Sequence, residues 1–295
     1  MQLRMLTTSL FESARLLLPA ALAFLSASAV GALLLSASGH SPVDAFLTIW
    51  HGAVGNAYSF SETLLKTTPL IFTGLSVTLA FRAGIWNIGA DGQFILGALI
   101  GTAIGVKTIH AAVPLLLIML LGAFVAGAFW GTIAGWLRER RGVSEVITTI
   151  MLNVIALQIL GYAVHGPLQE TAQTYPQSDR LVEAARLSQL WPGTRLHSGV
   201  IIAALLAGII WLMLFRLPFG FRLRVIGQNS KAVRFAGINV SWHIVAAIAL
   251  SGGIAALGGL VEVAGVTHRL YENISPGYGY TGIAVAMLGR LHPIG

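Results

Sequence analysis

Polar side chains that could do chemistry interrupt the long apolar stretches of this sequence at a few positions. The densest group lies in FRAGIWNIGADGQ, residues 81–93, where Asn87, Asp91 and Gln93 stand among three glycines. If the apolar stretches cross a membrane, such groups need partners or water, and transporters use them at binding sites and gates. The alternative is an ordinary cytoplasmic turn after Arg82, with Asp91 near the N-terminus of the next helix. The residues alone leave both possibilities open.

The other polar residues of the apolar stretches have simpler explanations. Asn153 is typical of a residue that hydrogen-bonds between helices, Glu145 is expected to pair with Arg141, and Glu262 lies near the end of an apolar stretch. The 8 histidines lack metal-ligand spacing, and the absence of cysteine excludes disulfides and thiolate chemistry. The sequence therefore predicts no catalytic residue, no metal site and no cofactor, and it does not indicate an enzyme.

The elements that carry these residues are predicted to be membrane-spanning helices. Of the 295 residues, 56% are hydrophobic and 10% are charged, whereas a soluble domain carries about 25% charged residues. Crossing the hydrocarbon core takes roughly 20 apolar residues. The composition predicts an all-α fold, a polytopic integral membrane helical bundle of about seven full spans with an incomplete eighth from about residue 281. The predicted full spans are 16–38, 61–81, 83–106, 113–137, 146–168, 196–215 and 235–261.

Two glycine ladders recur at every fourth residue within these spans. They consist of Gly97, Gly101 and Gly105, and of Gly127, Gly131 and Gly135. Small residues at this spacing let helix backbones approach closely in lipid. The ladders predict a closely packed bundle and say nothing about what it carries.

The charged residues predict the orientation of the bundle. The net charge of +7 is concentrated in loops 138–142 and 216–234, whereas segment 169–195 has three arginines and three acidic residues. Because basic loops stay in the cytoplasm, both basic loops and the N-terminus are predicted to be cytoplasmic, with 169–195 extracytoplasmic. The positive charge is thus a feature of topology, and no nucleic-acid partner is predicted.

The second basic loop also predicts a docking element. Residues 230–236, SKAVRFA, have the pattern of a short amphipathic helix that Asn229 or Ser230 would cap and Gly237 would end. Such a helix suits docking onto a soluble partner, and the alternative is a helix lying among lipid headgroups. The chain contains no phosphate-binding G-x-x-x-x-G-K-[ST] loop, so it is not expected to hydrolyse ATP.

Four ordered motifs are similar to those of a known family. FRAGIWNIGADGQ at 81–93, TTIMLN at 148–153, RVIGQNSKAVRFAGI at 224–238 and YTGIAVAMLGRLHPIG at 280–295 resemble the permease subunits of the simple-sugar/nucleoside branch of bacterial ABC importers. The similarity extends from about residue 60 to the end. The first two motifs look more like nucleoside-type than ribose-type permeases. Asp91 stands where the family more often has Glu, and Trp86 where Phe or Leu is usual.

The resemblance implies a single permease domain over 1–295 with a cytoplasmic coupling loop at 216–238. It implies that the coupling helix docks an ATPase and that the broken helix at 81–93 lies near the translocation path. The implied coupling residues are Gly227, Asn229, Ser230, Ala232, Arg234 and Gly237, and the implied path or gate residues are Asn87, Asp91, Gln93 and Asn153. Family members usually continue for further spans, so the chain is expected to be C-terminally incomplete.

The implied function is inward transport of nucleosides, with purine nucleosides favoured, by alternating access in the bacterial inner membrane. The implied partners are ATP-binding cassette ATPase subunits, a second permease subunit and an extracytoplasmic substrate-binding protein. One alternative is a simple-sugar permease of the ribose type in the same class of importer. Another is an ion-coupled secondary transporter that uses Asp91 or Glu262 as a proton site.

Overall fold

The computed structural model of this protein describes residues 2–107 and 115–295, so positions 113–114 of the predicted span 113–137 lie outside the described residues. The described residues form mainly helices, which are joined by loops and short turns. The helices are α1 Gln2–Ala37, α2 Pro42–Val54, α3 Ala57–Arg82, α4 Ala90–Lys107, α5 Leu115–Arg141, α6 Glu145–His165, α7 Gly199–Arg216, α8 Pro218–Phe235, α9 Val240–Glu262 and α10 Tyr278–Leu288.

Five of these helices are long and apolar enough to cross a membrane: α3, α5, α6, α7, and α9 with its π-helical extension Val263–Thr267. The bent pair α1 and α2 supplies a sixth if it forms one span. The all-helical membrane fold predicted from the sequence is thus confirmed, whereas the described helices supply five or six spans by length and composition rather than about seven.

The chain forms two compact units, Met1–Phe60 and Ser61–Gly295. In the first unit, α2 meets α1 at an angle of 119°. Helix α2 is not among the spans predicted from the sequence, although its N-terminus carries the usual signals of a helix start. The Ser41 hydroxyl accepts the Asp44 N–H at 3.3 Å, and Pro42 opens the helix.

In the second unit, α4, α5 and α9 pack along the glycine ladders. A Cβ on Gly97 would overlap the backbone of Ala256, and one on Gly127 would overlap the carbonyl of Gly252. Only glycine permits backbones to approach this closely. The predicted role of the ladders in helix packing is therefore confirmed.

Two elements of the second unit are shorter than a full span. The predicted span 83–106 becomes helical only at Ala90, because residues 83–89 form an irregular segment that begins after Arg82 and turns at Gly84, whose φ is +74°. Helix α10 has 11 residues and is therefore about 16 Å long, roughly half the thickness of the hydrocarbon core.

Candidate functional site

The irregular segment 83–89, called here the broken segment, lies in the second unit and is partly buried, with Gly84 and Trp86 exposed. Ala83, Ile85 and Asn87 are fully or almost fully buried. Irregular backbone at membrane depth requires partners for its N–H and C=O groups. Backbone carbonyl oxygens accept most of these N–H groups, and the side chains of Asn87 and Asn153 supply further partners.

Asn87 is the centre of a buried hydrogen-bond network. Its Nδ2 donates to Gln93 Oε1 at 2.9 Å and to Ser251 Oγ at 2.8 Å, and its Oδ1 accepts the Gly89 N–H at 2.9 Å. The Ser251 hydroxyl in turn donates to the Ser76 carbonyl oxygen at 2.7 Å. The network joins α3, α4 and α9 through the broken segment.

Asn153 holds the same segment from α6. Its Oδ1 accepts the Gly92 N–H at 2.8 Å, and its Nδ2 donates to the Ile88 carbonyl oxygen at 2.9 Å. The same Nδ2 lies 3.0 Å from the Tyr280 hydroxyl oxygen. Asn153 therefore links α6 to α4 and to α10, which agrees with the interhelical bonding expected from its position.

Asp91 joins the N-termini of two helices. It lies in the first turn of α4, and its Oδ1 accepts the Gly279 N–H of α10 at 3.0 Å and the Ser275 hydroxyl at 2.7 Å. The backbones of Asp91 and Gly279 are in direct contact, so that a Cβ on Gly279 would overlap Asp91. A carboxylate at this place is favoured because both helices present the positive ends of their dipoles.

The four predicted path residues therefore meet in one cluster, and all four are buried. They are Asn87, Asp91, Gln93 and Asn153. Within this chain Asn87, Asp91 and Asn153 hydrogen-bond to the backbone of the broken segment and of the start of α10. Tyr280, which the sequence analysis did not single out, is the exposed group that this cluster holds in place.

The predicted coupling residues lie at a kink in α8. Helical geometry breaks at Asn229, whose φ is −155° and ψ is 89°, and its Oδ1 accepts the Ala232 N–H at 3.0 Å. Asn229 thus caps a short helix that ends at Phe235 and is followed by Gly237 with φ +76°. The local prediction of a capped helix stopped by glycine is confirmed.

The exposed half of α8 borders a polar cleft. The side chains of Ser230, Ala232 and Arg234 are exposed, and Phe235 is 94% exposed. The cleft at the kink has a volume of about 440 Å³. Its lining residues are Ala83, Gly84, Arg138, Glu139, Ile226, Gly227, Gln228, Asn229, Ser230, Lys231, Arg234, Val240 and Ile244.

The kink of α8 is in direct contact with the broken segment. A Cβ on Gly227 would overlap the Arg82 carbonyl oxygen, and one on Gly84 would lie 3.1 Å from the Gly227 Cα. Glu145 also reaches this region, where it pairs with Arg138 at 3.0 Å. The prediction that Glu145 pairs with Arg141 is wrong. The turn between α5 and α6 instead brings Arg138, one helical turn earlier, to the Glu145 carboxylate.

Segment 169–195 packs onto the residues that follow α9. Glu170 pairs with Arg269 at 2.7 Å, and the Ser178 N–H donates to the Leu270 carbonyl oxygen at 2.8 Å. The Gln177 side chain, the Tyr175 N–H and Arg269 all donate to Glu170 and lower the pKa of its carboxyl group. These bonds fasten the loop to the residues that follow α9.

His197 is buried where this segment leads into α7. Its Nδ1 accepts the Gly199 N–H at 3.1 Å, and its ring fills the space beside Gly199 and Gly265. Burial, with a smaller contribution from His268, lowers the pKa of His197 to about 4. The ring is therefore neutral at physiological pH.

Sequence reasoning missed three residues of this arrangement: Ser251, Tyr280 and Phe235. Ser251 lies in the peptide LSGGI at 250–254, where its small neighbours point only to helix packing. Tyr280 and Phe235 stand inside motifs that the family resemblance covers, but nothing in their spacing shows that both are exposed.

The comparisons with known proteins agree with this architecture. Residues 59–295 match the family model described as "Branched-chain amino acid transport system / permease component". The glucose ABC transporter permease protein TsgB13 of Haloferax volcanii is 38% identical over 91% of this chain and 73% of its own length. The guanosine ABC transporter permease protein NupP of Bacillus subtilis is 36% identical over 90% of this chain and 78% of its own length.

A third relative, the nucleoside ABC transporter permease protein NupB of Lactococcus lactis, is 33% identical over 90% of this chain and 76% of its own length. No solved structure matches the chain. The family model covers four fifths of the sequence, and it includes the broken segment, the α8 kink and α10. The chain therefore belongs to the family of branched-chain amino acid transport system permease components, among which these relatives are permeases of ABC transporters.

Proposed function

We propose that this chain is the membrane-spanning subunit of an ABC importer that carries nucleosides or sugars inward, with purine nucleosides favoured. The observation that carries the proposal is the direct contact between the α8 kink and the broken segment. Gly227 touches Arg82 and Gly84 without an intervening side chain. A displacement of α8 is therefore passed directly to the backbone that leads to Asn87 and Asp91.

The exposed half of α8 is the surface on which a partner ATPase acts. Its largest exposed side chain, Phe235, is an aromatic anchor of the kind that protein interfaces bury. Arg234 and Lys231 flank it with positive charge. In this proposal ATP is hydrolysed by ATPase subunits, and the chain itself acts by changing conformation.

The permease works in alternating access with a second permease subunit. Motion of α8 shifts the broken segment, and the Asn87 and Asp91 bonds pass that shift to α9 and α10. An extracytoplasmic binding protein delivers the solute on the side of segment 169–195. The basic loops and the N-terminus lie in the cytoplasm, and the protein is a multi-pass component of the inner membrane.

The solute is expected to be neutral, because the predicted path residues are mostly amides rather than charges. Relatives named for glucose and for guanosine match at 38% and 36% identity. Because these identities are nearly equal, a measurement of uptake is needed to decide between sugars and nucleosides as the solute. Ion coupling at Asp91 has less support, since this carboxylate is already engaged by Ser275 and Gly279.

Uptake of radiolabelled guanosine, ribose and glucose is the test, in cells that carry the complete transporter with or without its ATPase subunit. We expect guanosine uptake that requires the ATPase. Uptake of a sugar alone would keep the ABC mechanism and transfer the substrate to the sugar branch. Uptake that persists without the ATPase and collapses with the proton gradient would contradict the proposal.

A variant of α8 tests the docking surface itself. Ala232→Glu places a charge on the exposed half of α8 and is expected to abolish uptake while membrane insertion stays normal. The matched control is Ser38→Glu, because Ser38 is also exposed and lies in the first unit, to which the proposal assigns no partner. Normal uptake by the Ala232→Glu variant would contradict the coupling assignment and favour a helix that lies among lipid headgroups.

A further inference from the structure

A charged pair between α5 and α6 binds the broken segment at two backbone groups. Arg138 Nη1 lies 3.0 Å from Glu145 Oε1 and donates to the Gly84 carbonyl oxygen at 3.3 Å. The same Glu145 oxygen accepts the Trp86 N–H at 3.4 Å. The pair therefore holds the segment on both sides of Ile85, at a C=O group and at an N–H group.

The turn between α5 and α6 is closed by its own backbone. The Gly142 N–H donates to the Arg138 carbonyl oxygen at 3.0 Å. The Val143 N–H donates to the Leu137 carbonyl oxygen at 3.4 Å. Gly142 supplies the positive φ, +66°, with which helices commonly end. Because these bonds already close the turn, the side-chain pair is not needed for that purpose.

The helix that carries Arg138 is closely packed. It lies along α9, where a Cβ on Gly131 would overlap the Ile248 carbonyl oxygen. Next to Arg138, the Glu139 carboxylate accepts the Ser241 hydroxyl at the start of α9. The charged pair thus joins the irregular backbone of the broken segment to two helices that are fixed against each other.

The bonded backbone is also the part of the broken segment that α8 touches. A Cβ on Gly84 would lie 3.1 Å from the Gly227 Cα, and both glycines line the polar cleft together with Arg138. The side chains of Arg138 and Glu145 are 26% and 14% exposed, so salt weakens their attraction less than that of a surface pair. The pair therefore sets the position of the backbone on which the α8 kink acts.

We propose that Arg138 and Glu145 are positioning residues of the transport cycle. They hold the broken segment against the α8 kink, so that the two backbones stay in contact when ATP-driven motion displaces α8. Loss of either side chain removes a partner of the Trp86 N–H or of the Gly84 carbonyl oxygen and loosens the segment. This inference rests on the proposed function and names residues that couple its ATPase surface to the buried cluster.

Amide hydrogen exchange measures the hold on the segment without any solute. Peptides that cover residues 83–89 are followed in the complete transporter. Glu145→Ala removes the acceptor of the Trp86 N–H and is expected to speed exchange in these peptides by roughly five-fold, which corresponds to the loss of one hydrogen bond. Glu145→Gln keeps an acceptor oxygen and is expected to exchange at nearly the unaltered rate. Unchanged exchange in Glu145→Ala would overturn the proposal.

The ATP hydrolysed for each solute molecule imported measures coupling. It is determined for the complete transporter in vesicles, with whichever of guanosine, ribose and glucose the unaltered transporter imports. Arg138→Ala is expected to raise this ratio by roughly ten-fold, within the range by which residues between coupled sites change coupling. The matched control is Arg140→Ala, which removes the same charge from an exposed position of the same helix and is expected to leave the ratio unchanged.

A purely structural role would give a different result. Loss of assembled complex lowers hydrolysis and uptake together and leaves their ratio as it was. An unchanged ratio in Arg138→Ala, or an equal rise in Arg140→Ala, would therefore overturn the proposal. Failure of the proposed function is distinguishable, because it appears as a lack of ATP-dependent uptake by the unaltered transporter, whereas the exchange measurement needs no uptake.

Discussion

At the scale of single residues, the polar groups of the membrane interior act first as partners for backbone. Asn87 and Asn153 satisfy N–H and C=O groups of the broken segment, and Asp91 satisfies the start of α10. Burial of such groups costs free energy unless every partner is present. A change at one of them therefore affects both stability and the position of a neighbouring helix.

Asp91→Leu is expected to destabilise the protein by about 1–3 kcal/mol, because the Gly279 N–H and the Ser275 hydroxyl lose their acceptor. Asp91→Asn keeps an acceptor oxygen and is expected to retain most of the stability. Thermal unfolding of the purified complexes, alongside uptake, measures both. If the Asn variant is stable but does not transport, the charge of Asp91 has a role beyond accepting the hydrogen bonds of Gly279 and Ser275. An Asp91→Leu variant that unfolds at the same temperature as the unaltered protein would contradict a stabilising role of these hydrogen bonds.

The neutral His197 predicts a pH dependence of stability. Its pKa of about 4 in the folded protein lies below the unfolded value of about 6.5. As pH falls, the unfolded chain therefore binds the proton first, so stability is full above pH 6.5 and declines until about pH 4, by roughly 3 kcal/mol. Unfolding temperatures between pH 8 and pH 4 measure this decline.

His197→Asn is the comparison, since its amide oxygen still accepts the Gly199 N–H and has no proton to gain. The Asn variant is expected to lose less stability than the unaltered protein over the same pH range. The same decline in both proteins would assign the effect to other groups, such as Glu170 and Asp179, whose pKa values are lowered.

At the scale of elements, the main feature is the contact between α8 and the broken segment. It depends on Gly227, because any larger residue would meet the Arg82 carbonyl oxygen. The contact connects an exposed cytoplasmic element, in the proposed orientation, to the buried cluster without an intermediate helix.

Gly227→Ala is expected to separate α8 from the broken segment and to reduce ATPase-dependent uptake strongly while insertion is unchanged. The matched control is Gly208→Ala in α7, where a Cβ would meet nothing within 4 Å and alanine favours the helix by up to about 1 kcal/mol. Uptake measured at equal membrane levels compares the two. Equal activity would show that this contact does not transmit the motion.

The sequence predicted those elements whose signals are local. Asn229 and Gly237 mark the ends of a helix by their own chemistry, and the glycine ladders mark helix contacts by their spacing. The bond from Gly279 to Asp91 joins residues 188 positions apart, and no local pattern reports it. The sequence also predicts Arg141 as the partner of Glu145 because the two residues are close in the chain, whereas the turn between α5 and α6 brings Arg138 to the carboxylate.

At the scale of the whole molecule, the distribution of basic residues predicts which loops meet the cytoplasm. Ala172→Cys on segment 169–195 and Lys231→Cys on α8 test it, because the chain has no other cysteine. An impermeant thiol reagent is expected to label Ala172→Cys in intact cells and Lys231→Cys only after the membrane is opened. The reverse pattern would invert the proposed orientation.

The shortness of α10 also has a consequence for how the protein is made. An isolated helix of 11 residues is marginal and too short to enter the bilayer by itself. Its contacts Thr73, Asp91 and Asn153 all precede it in the chain. During synthesis, α10 therefore emerges after these contact residues, and it folds against a surface that the earlier helices have already formed.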